Sequence, residues 1–114
     1  IHVSLAIAKQ IAALPTKPSV IATTGYQEPS LVFLLGRNLL LLGASEAALF
    51  LIEAPGGLAI IEQRQQEAFL AAAGQLGLRL APPVQLSGIN MSKGQNVIIL
   101  LYKAEIFDAN ASKE

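Results

Sequence analysis

Three observations predict an α/β fold for this chain of 114 residues. Short apolar runs alternate with stretches of helical periodicity, glycine and proline sit at the junctions, and each apolar run is far below the roughly 18 residues that a membrane helix requires. Alternating helices and strands imply a three-layer sandwich, a mainly parallel five-stranded sheet with helices on both faces. Pro82-Pro83 push the segment Arg79–Asn90 to an edge, whereas Val97–Tyr102 is apolar on both faces and belongs inside. The predicted strand order is therefore 2-1-3-5-4, with the last strand antiparallel and inserted. A chain of this length forms one domain.

The elements follow in order. Val3, Ile7, Ile11 and Leu14 recur at helical spacing, Ser4 offers an N-cap, and Pro15 stops the far end, so a helix is expected over Ser4–Leu14. After the link Pro15-Thr16-Lys17-Pro18, a first strand begins near Ser19 and Thr23-Thr24-Gly25 closes it. Pro29 suits the first turn of a second helix and Gly36 its end, which bounds a short apolar helix over Pro29–Leu35, expected to be buried on most sides. Leu39–Leu42 lies in a strand predicted over Asn38–Gly43. Ser45 is the expected cap of a helix over Glu46–Ala54, and Pro55-Gly56-Gly57 ends it. Leu58–Glu62 reads as a buried strand. Gln63–Leu76 is the strongest helical pattern, with Phe69, Leu70, Ala73 and Leu76 on one face and Gly77 past its end. Met91-Ser92-Lys93-Gly94 is a turn, Gln95–Lys103 an apolar strand, and the tail after Glu105 is expected to fray.

Composition excludes several functions. The chain is 53% hydrophobic and only 14% charged, with a mean hydropathy of +0.51. Soluble domains carry about 25% charge, so either much of this surface is apolar or something covers part of it. Eight basic and eight acidic residues cancel, and no basic stripe points to nucleic acid. Cysteine is absent, which removes disulfides and thiolate metal sites, and one histidine, His2, gives poor support for any transition metal. His2 is expected to be a solvated surface residue. The opening Ile1-His2-Val3 and the apolar surplus suit a piece of a longer protein. No cofactor is expected, because the glycine spacing matches neither a P-loop nor a dinucleotide fingerprint, and no Gly-x-Ser-x-Gly elbow is present.

The best site candidate is the loop after the first strand. Tyr26 and Glu28 are polar groups on a connection between buried elements, and Ser30 lies in the first helical turn, where free N–H groups receive anions. A plainer reading has the advantage on chemistry alone: Glu28 complements the helix dipole, for about 0.3–1 kcal/mol, Tyr26 packs on a neighbouring strand, and Ser30 satisfies backbone. Glu62, Arg64 and Glu67 form a second polar cluster, expected to be a solvated helix start. Asn90-Met91-Ser92 fits the glycosylation tripeptide within a turn where Asn and Ser are common anyway.

The segment Gly25-Tyr26-Gln27-Glu28-Pro29-Ser30-Leu31-Val32-Phe33-Leu34-Leu35-Gly36 resembles one found in bacterial glycosyltransferases related to aminoarabinose transferase and protein O-mannosyltransferases. Glu67–Leu70, Leu76–Leu78, Ser87–Gly94 and Leu100–Tyr102 extend the resemblance over most of the chain after Pro18, with Met91 standing where the hairpin turn of the family carries an aromatic. The resemblance implies a polytopic inner-membrane enzyme that takes a sugar from a polyprenyl-phosphate carrier. It implies a catalytic acid in a loop between membrane helices, and a small α/β C-terminal domain on the periplasmic side. This chain matches that domain, so no catalytic residue carries over onto it. On this reading its partners are the membrane-spanning part of the same polypeptide and a polyprenyl-phosphate-linked sugar, with Tyr26, Glu28 and Ser30 shaping the donor or acceptor site. The alternatives are a small phosphate- or sugar-binding domain using the same loop, and an interaction module without a ligand.

Overall fold

Five strands and four helices alternate along the chain in the structure, a computed structural model that describes residues 1–106. The strands are β1 (Ile21–Thr24), β2 (Leu40–Leu41), β3 (Leu58–Glu62), β4 (Val84–Asn90) and β5 (Gln95–Tyr102). The helices are α1 (Val3–Ala12), α2 (Pro29–Leu35), α3 (Ala44–Glu53) and α4 (Gln66–Gln75), the last preceded by a 3-10 turn over Gln63–Gln65. The tail expected to fray lies outside the described residues beyond Ile106.

The strands form one sheet in the order β2-β1-β3-β5-β4, as predicted. It is a mixed sheet in which four strands run in one sense and the inserted last strand runs against them, as expected. β1 pairs in parallel with β2 and β3, whereas β5 is antiparallel to both β3 and β4. The cause is the connection over Met91–Gly94, which is too short for a crossover and makes β4 and β5 a hairpin. Inserting β5 between β3 and β4 then makes both of its pairings antiparallel. β4 still runs in the same sense as β1–β3, so the carboxyl ends of four strands meet at one end of the sheet.

Alternation along the strands divides the core into two layers. Ile21, Leu58, Ile60, Ile99 and Leu101 face α1 and α2, where Val3, Ile7, Ile11 and Leu31 meet them. Ala22, Ala59, Ile61, Leu100 and Tyr102 face α3 and α4 and pack on Ala47, Ala48, Phe50 and Phe69. All five residues of β3 are buried. Fully burying each of its large aliphatic side chains is worth about 1.5–3 kcal/mol. α1 lies close over β4 because residue 88 is glycine: a Cβ there would fall 2.7 Å from the Ile1 carbonyl oxygen and 3.1 Å from Val3 Cβ. The Ile89 amide donates to that carbonyl at 2.8 Å.

Several local expectations are corrected. Ser4 is not the cap of α1; His2 is, its Nδ1 accepting from the Leu5 amide at 3.4 Å, and His2 is half-buried rather than a freely solvated side chain. α3 starts at Ala44 with Gly43 as its N-cap residue, and Glu46 Oε1 accepts the Gly43 amide at 3.1 Å, so Ser45 is an exposed first-turn residue. Only Leu31 of α2 is buried, because a seven-residue helix at the sheet margin is covered from one side only. On α4 the inward face is Phe69, Ala72 and Ala73, while Leu70 and Leu76 are exposed: small residues let α3 and α4 approach closely, and the leucines fall outside the seam.

Candidate functional site

The end of the sheet where the four strands terminate collects the polar side chains of the fold. β1 leaves through Gly25, whose φ of +87° suits glycine alone. Space is the second constraint there. A Cβ at residue 25 would sit 3.0 Å from Glu62 Cβ and 3.1 Å from Glu62 Oε2. A side chain at this position would crowd Glu62 where the first and third strands end side by side. A polar cavity of about 330 Å³ opens beside them, walled by Gly25, Gln27 and Glu28 from the β1–α2 loop and by Glu62 and Arg64 from the end of β3. Asn90, Lys93 and Gln95 of the hairpin complete it. A wider groove of about 830 Å³ continues from Glu62, Arg64 and Gln95 along the hairpin toward Ile1.

Glu62 is the least expected member. It was predicted as part of a solvated helix start, yet it is 5% exposed. The signal was present in the sequence: Leu58, Ile60 and Glu62 share one strand face, so the phase that buries two of them carries the third inward. Both Nε and Nη2 of Arg64 reach the same oxygen, Oε1, at 2.6 and 2.5 Å, and no hydrogen bond to Oε2 forms among the described residues. Arg64 itself is largely exposed, and so is Glu67. The pair is therefore a buried carboxylate with a solvent-facing cation on one of its two oxygens.

The structure separates the three residues expected in the loop. Glu28 lines the cavity and accepts a hydrogen bond from Ser92 Oγ, which ties the β1–α2 loop to the hairpin turn. Tyr26 is 2% exposed and turns its hydroxyl to Ser4 Oγ at 2.5 Å, while Thr23 Oγ1 donates to the Tyr26 carbonyl at 2.7 Å. Ser30 Oγ donates to the same Ser4 oxygen at 2.9 Å. Tyr26 and Ser30 thus belong to a hydroxyl network that fastens α1 to the loop and to α2. That network also explains why Ser4 is buried inside a helix rather than capping it. Burial raises the pKa of the Tyr26 phenol; the charges of Glu28 and Glu62 add to the rise, and the Ser4 hydrogen bond opposes it.

The glycosylation tripeptide has a structural explanation. Asn90 is 6% exposed, and its Oδ1 accepts from the Ser92 amide at 3.2 Å, closing the turn. Its side chain is buried against the turn rather than standing free at the surface. Sequence reasoning missed Asn90, Lys93 and Gln95 as wall residues, since only the hairpin brings them over the ends of β1 and β3. Among the described residues no group of three or more His, Cys, Asp or Glu side chains is placed to hold a metal ion. None of the described helices is long and apolar enough to cross a membrane.

A second feature lies at the β2 margin. Phe33 is 84% exposed, and Val32, Leu34, Leu40 and Leu41 are exposed around it. The arginine of this stretch, Arg37, turns its guanidinium onto the carbonyls of Pro18 and Ser19, at 3.0 and 2.7 Å. An apolar cleft of about 260 Å³ between Tyr26, Val32, Leu39 and Leu41 indents the same margin. Compared with models of protein families, with curated proteins and with solved structures, the chain matches none of them.

Proposed function

We propose that this chain is the non-catalytic extramembrane domain of a membrane glycosyltransferase that moves a sugar from a polyprenyl-phosphate carrier to a lipid, glycan or protein acceptor. The observation that carries the reading is the bare apolar margin formed by α2 and β2. Patches of this kind, rimmed by polar residues, mark surfaces that another body covers. The edge strand itself consists of two leucines, both exposed. The α2 part of the margin falls within the segment Gly25–Gly36 that carries the family resemblance. The occupant is then the membrane-embedded part of the same polypeptide, which would also hold the catalytic acid, and the domain lies on the periplasmic side of the inner membrane. Glu28 stands beside that margin and the polar cavity at once, which suits a residue that shapes a donor or acceptor site.

Two measurements test this. An antibody raised against the domain should detect, in cells that make it, a membrane-bound polypeptide much larger than 12.0 kDa; a free protein of that mass overturns the reading. In the complete enzyme, Glu28→Ala should lower sugar transfer while the domain keeps its fold, and unchanged transfer removes Glu28 from the site.

A further inference from the structure

We infer that the cavity between Gly25, Glu28, Glu62 and Asn90 is a subsite for one uncharged, hydroxyl-bearing saccharide ring. Its place in the topology is the first reason. The chain passes from β1 to β2 on one side and continues to β3 on the other, so the crevice beyond β1 and β3 is the switch point of the sheet. Ligands of open α/β sheets bind there, outside the carboxyl ends of the strands. The hairpin roofs this crevice, and the bond from Ser92 to Glu28 holds the roof on the loop.

Charge selects the ligand. The walls carry two acids, Glu28 and Glu62, and two bases, Arg64 and Lys93, so their formal charges cancel. A free anion would meet the buried Glu62 carboxylate, and a free cation would meet Arg64 and Lys93. Hydrogen bonding narrows the choice further. Carboxylates only accept, guanidinium and ammonium groups only donate, and the amides of Gln27, Asn90 and Gln95 do both. A hydroxyl is the neutral group that both donates and accepts, and a ring of adjacent hydroxyls meets such a mixed wall at several points. Glu62 Oε2 is the anchor: the side chain is 7% exposed, Arg64 takes only the other oxygen, and a hydroxyl donating to it would form a charge-assisted bond in a partly dry site.

Size agrees with one ring rather than a chain of them. Ligand pockets span about 300–1,000 Å³, and this cavity, at about 330 Å³, lies at the small end. The adjoining groove gives the ring's substituent a way out along the hairpin, so a linked sugar fits as well as a free one. The sugar class rests on the glycosyltransferase reading for its source, but the pocket chemistry stands without it.

The test titrates the 114-residue chain, which has its own two-layered core, with methyl glycosides of hexoses and pentoses, inorganic phosphate and ethanolamine, followed by amide NMR. At least one glycoside should shift the amides of Gly25, Gln27, Glu62, Arg64 and Gln95, with phosphate and ethanolamine weaker. Glu62→Gln keeps the side chain's shape and should weaken that binding about tenfold or more. Lys93→Ala, in the exposed turn, should weaken it less and leaves the fold intact should Glu62→Gln disturb it. No glycoside binding, or tighter binding of phosphate or ethanolamine, overturns the subsite. Glycoside binding in this titration, together with detection in cells of only a free 12.0 kDa protein, would leave the subsite standing and sink only the membrane reading.

Discussion

The runs Val97–Tyr102 and Leu31–Leu35 are nearly equal in apolar content and opposite in surroundings. Ile99, Leu100, Leu101 and Tyr102 are all at most 4% exposed, because β5 has a strand on either side and helices over both faces. In α2 only Leu31 is buried, and beyond it Leu40 and Leu41 of β2 form a margin with no further strand. The difference teaches where the surplus hydrophobicity of this chain resides. Part of it stands outside the core: Val32, Phe33, Leu34, Leu40 and Leu41 are exposed together at one edge of the sheet, while Leu49, Ile52, Leu70 and Leu76 are exposed singly on and around α3 and α4. A stabilising apolar residue and a docking apolar residue look alike in sequence, and what separates them is whether the fold itself covers them.

The largest effect expected from this contrast is at the centre. Ile60→Ala removes a side chain with no exposure from β3, between the two layers, and should cost about 2–5 kcal/mol, read as a lowered urea midpoint. A loss below about 1 kcal/mol would mean that the centre is no better packed than the margin.

Tyr26 sits between the two regions and sharpens the boundary. Tyr26→Phe deletes the hydroxyl on Ser4, which keeps its bond from Ser30, so about 0.5–1.5 kcal/mol should be lost at neutral pH. The pH dependence carries a definite sign. The folded state holds the phenol proton more tightly than the unfolded chain does. The contribution is therefore complete below the unfolded pKa of about 10 and is lost as pH rises from there through the higher folded value. The variant should show a shallower decline in stability above about pH 10, and an identical alkaline decline would show that the phenol is solvated.

The smallest effect is at the edge. Phe33→Ser should change stability by no more than about 0.5 kcal/mol, because Phe33 is 84% exposed, while lowering self-association of the isolated chain in light scattering. A destabilisation above about 1 kcal/mol would place Phe33 in the core and erase the contrast.

How much of this was legible depended on range. Pro29 and Gly36 bounded α2 to the residue, since a proline without an amide and a glycine at φ +67° act within one turn. Helix starts at Ser4 and Ser45 were misplaced, because a serine side chain that can cap can also serve a distant partner or face water. Of the site, Glu28 was visible as a polar residue on a loop between buried elements. Glu62 was visible only as a charge, and its burial follows from strand phase.

By itself the sequence determined the α/β class, the strand order and the position of the buried strands, because periodicity, prolines and glycines act locally and add up along the chain. Only the tertiary structure decided that Glu62 faces a cavity beside Gly25, that Asn90, Lys93 and Gln95 stand over the ends of β1 and β3, and that the leucines of α2 and β2 stay uncovered. Each of these depends on which segments become neighbours across the sheet, and that information lies in pairings between distant residues rather than in any one stretch.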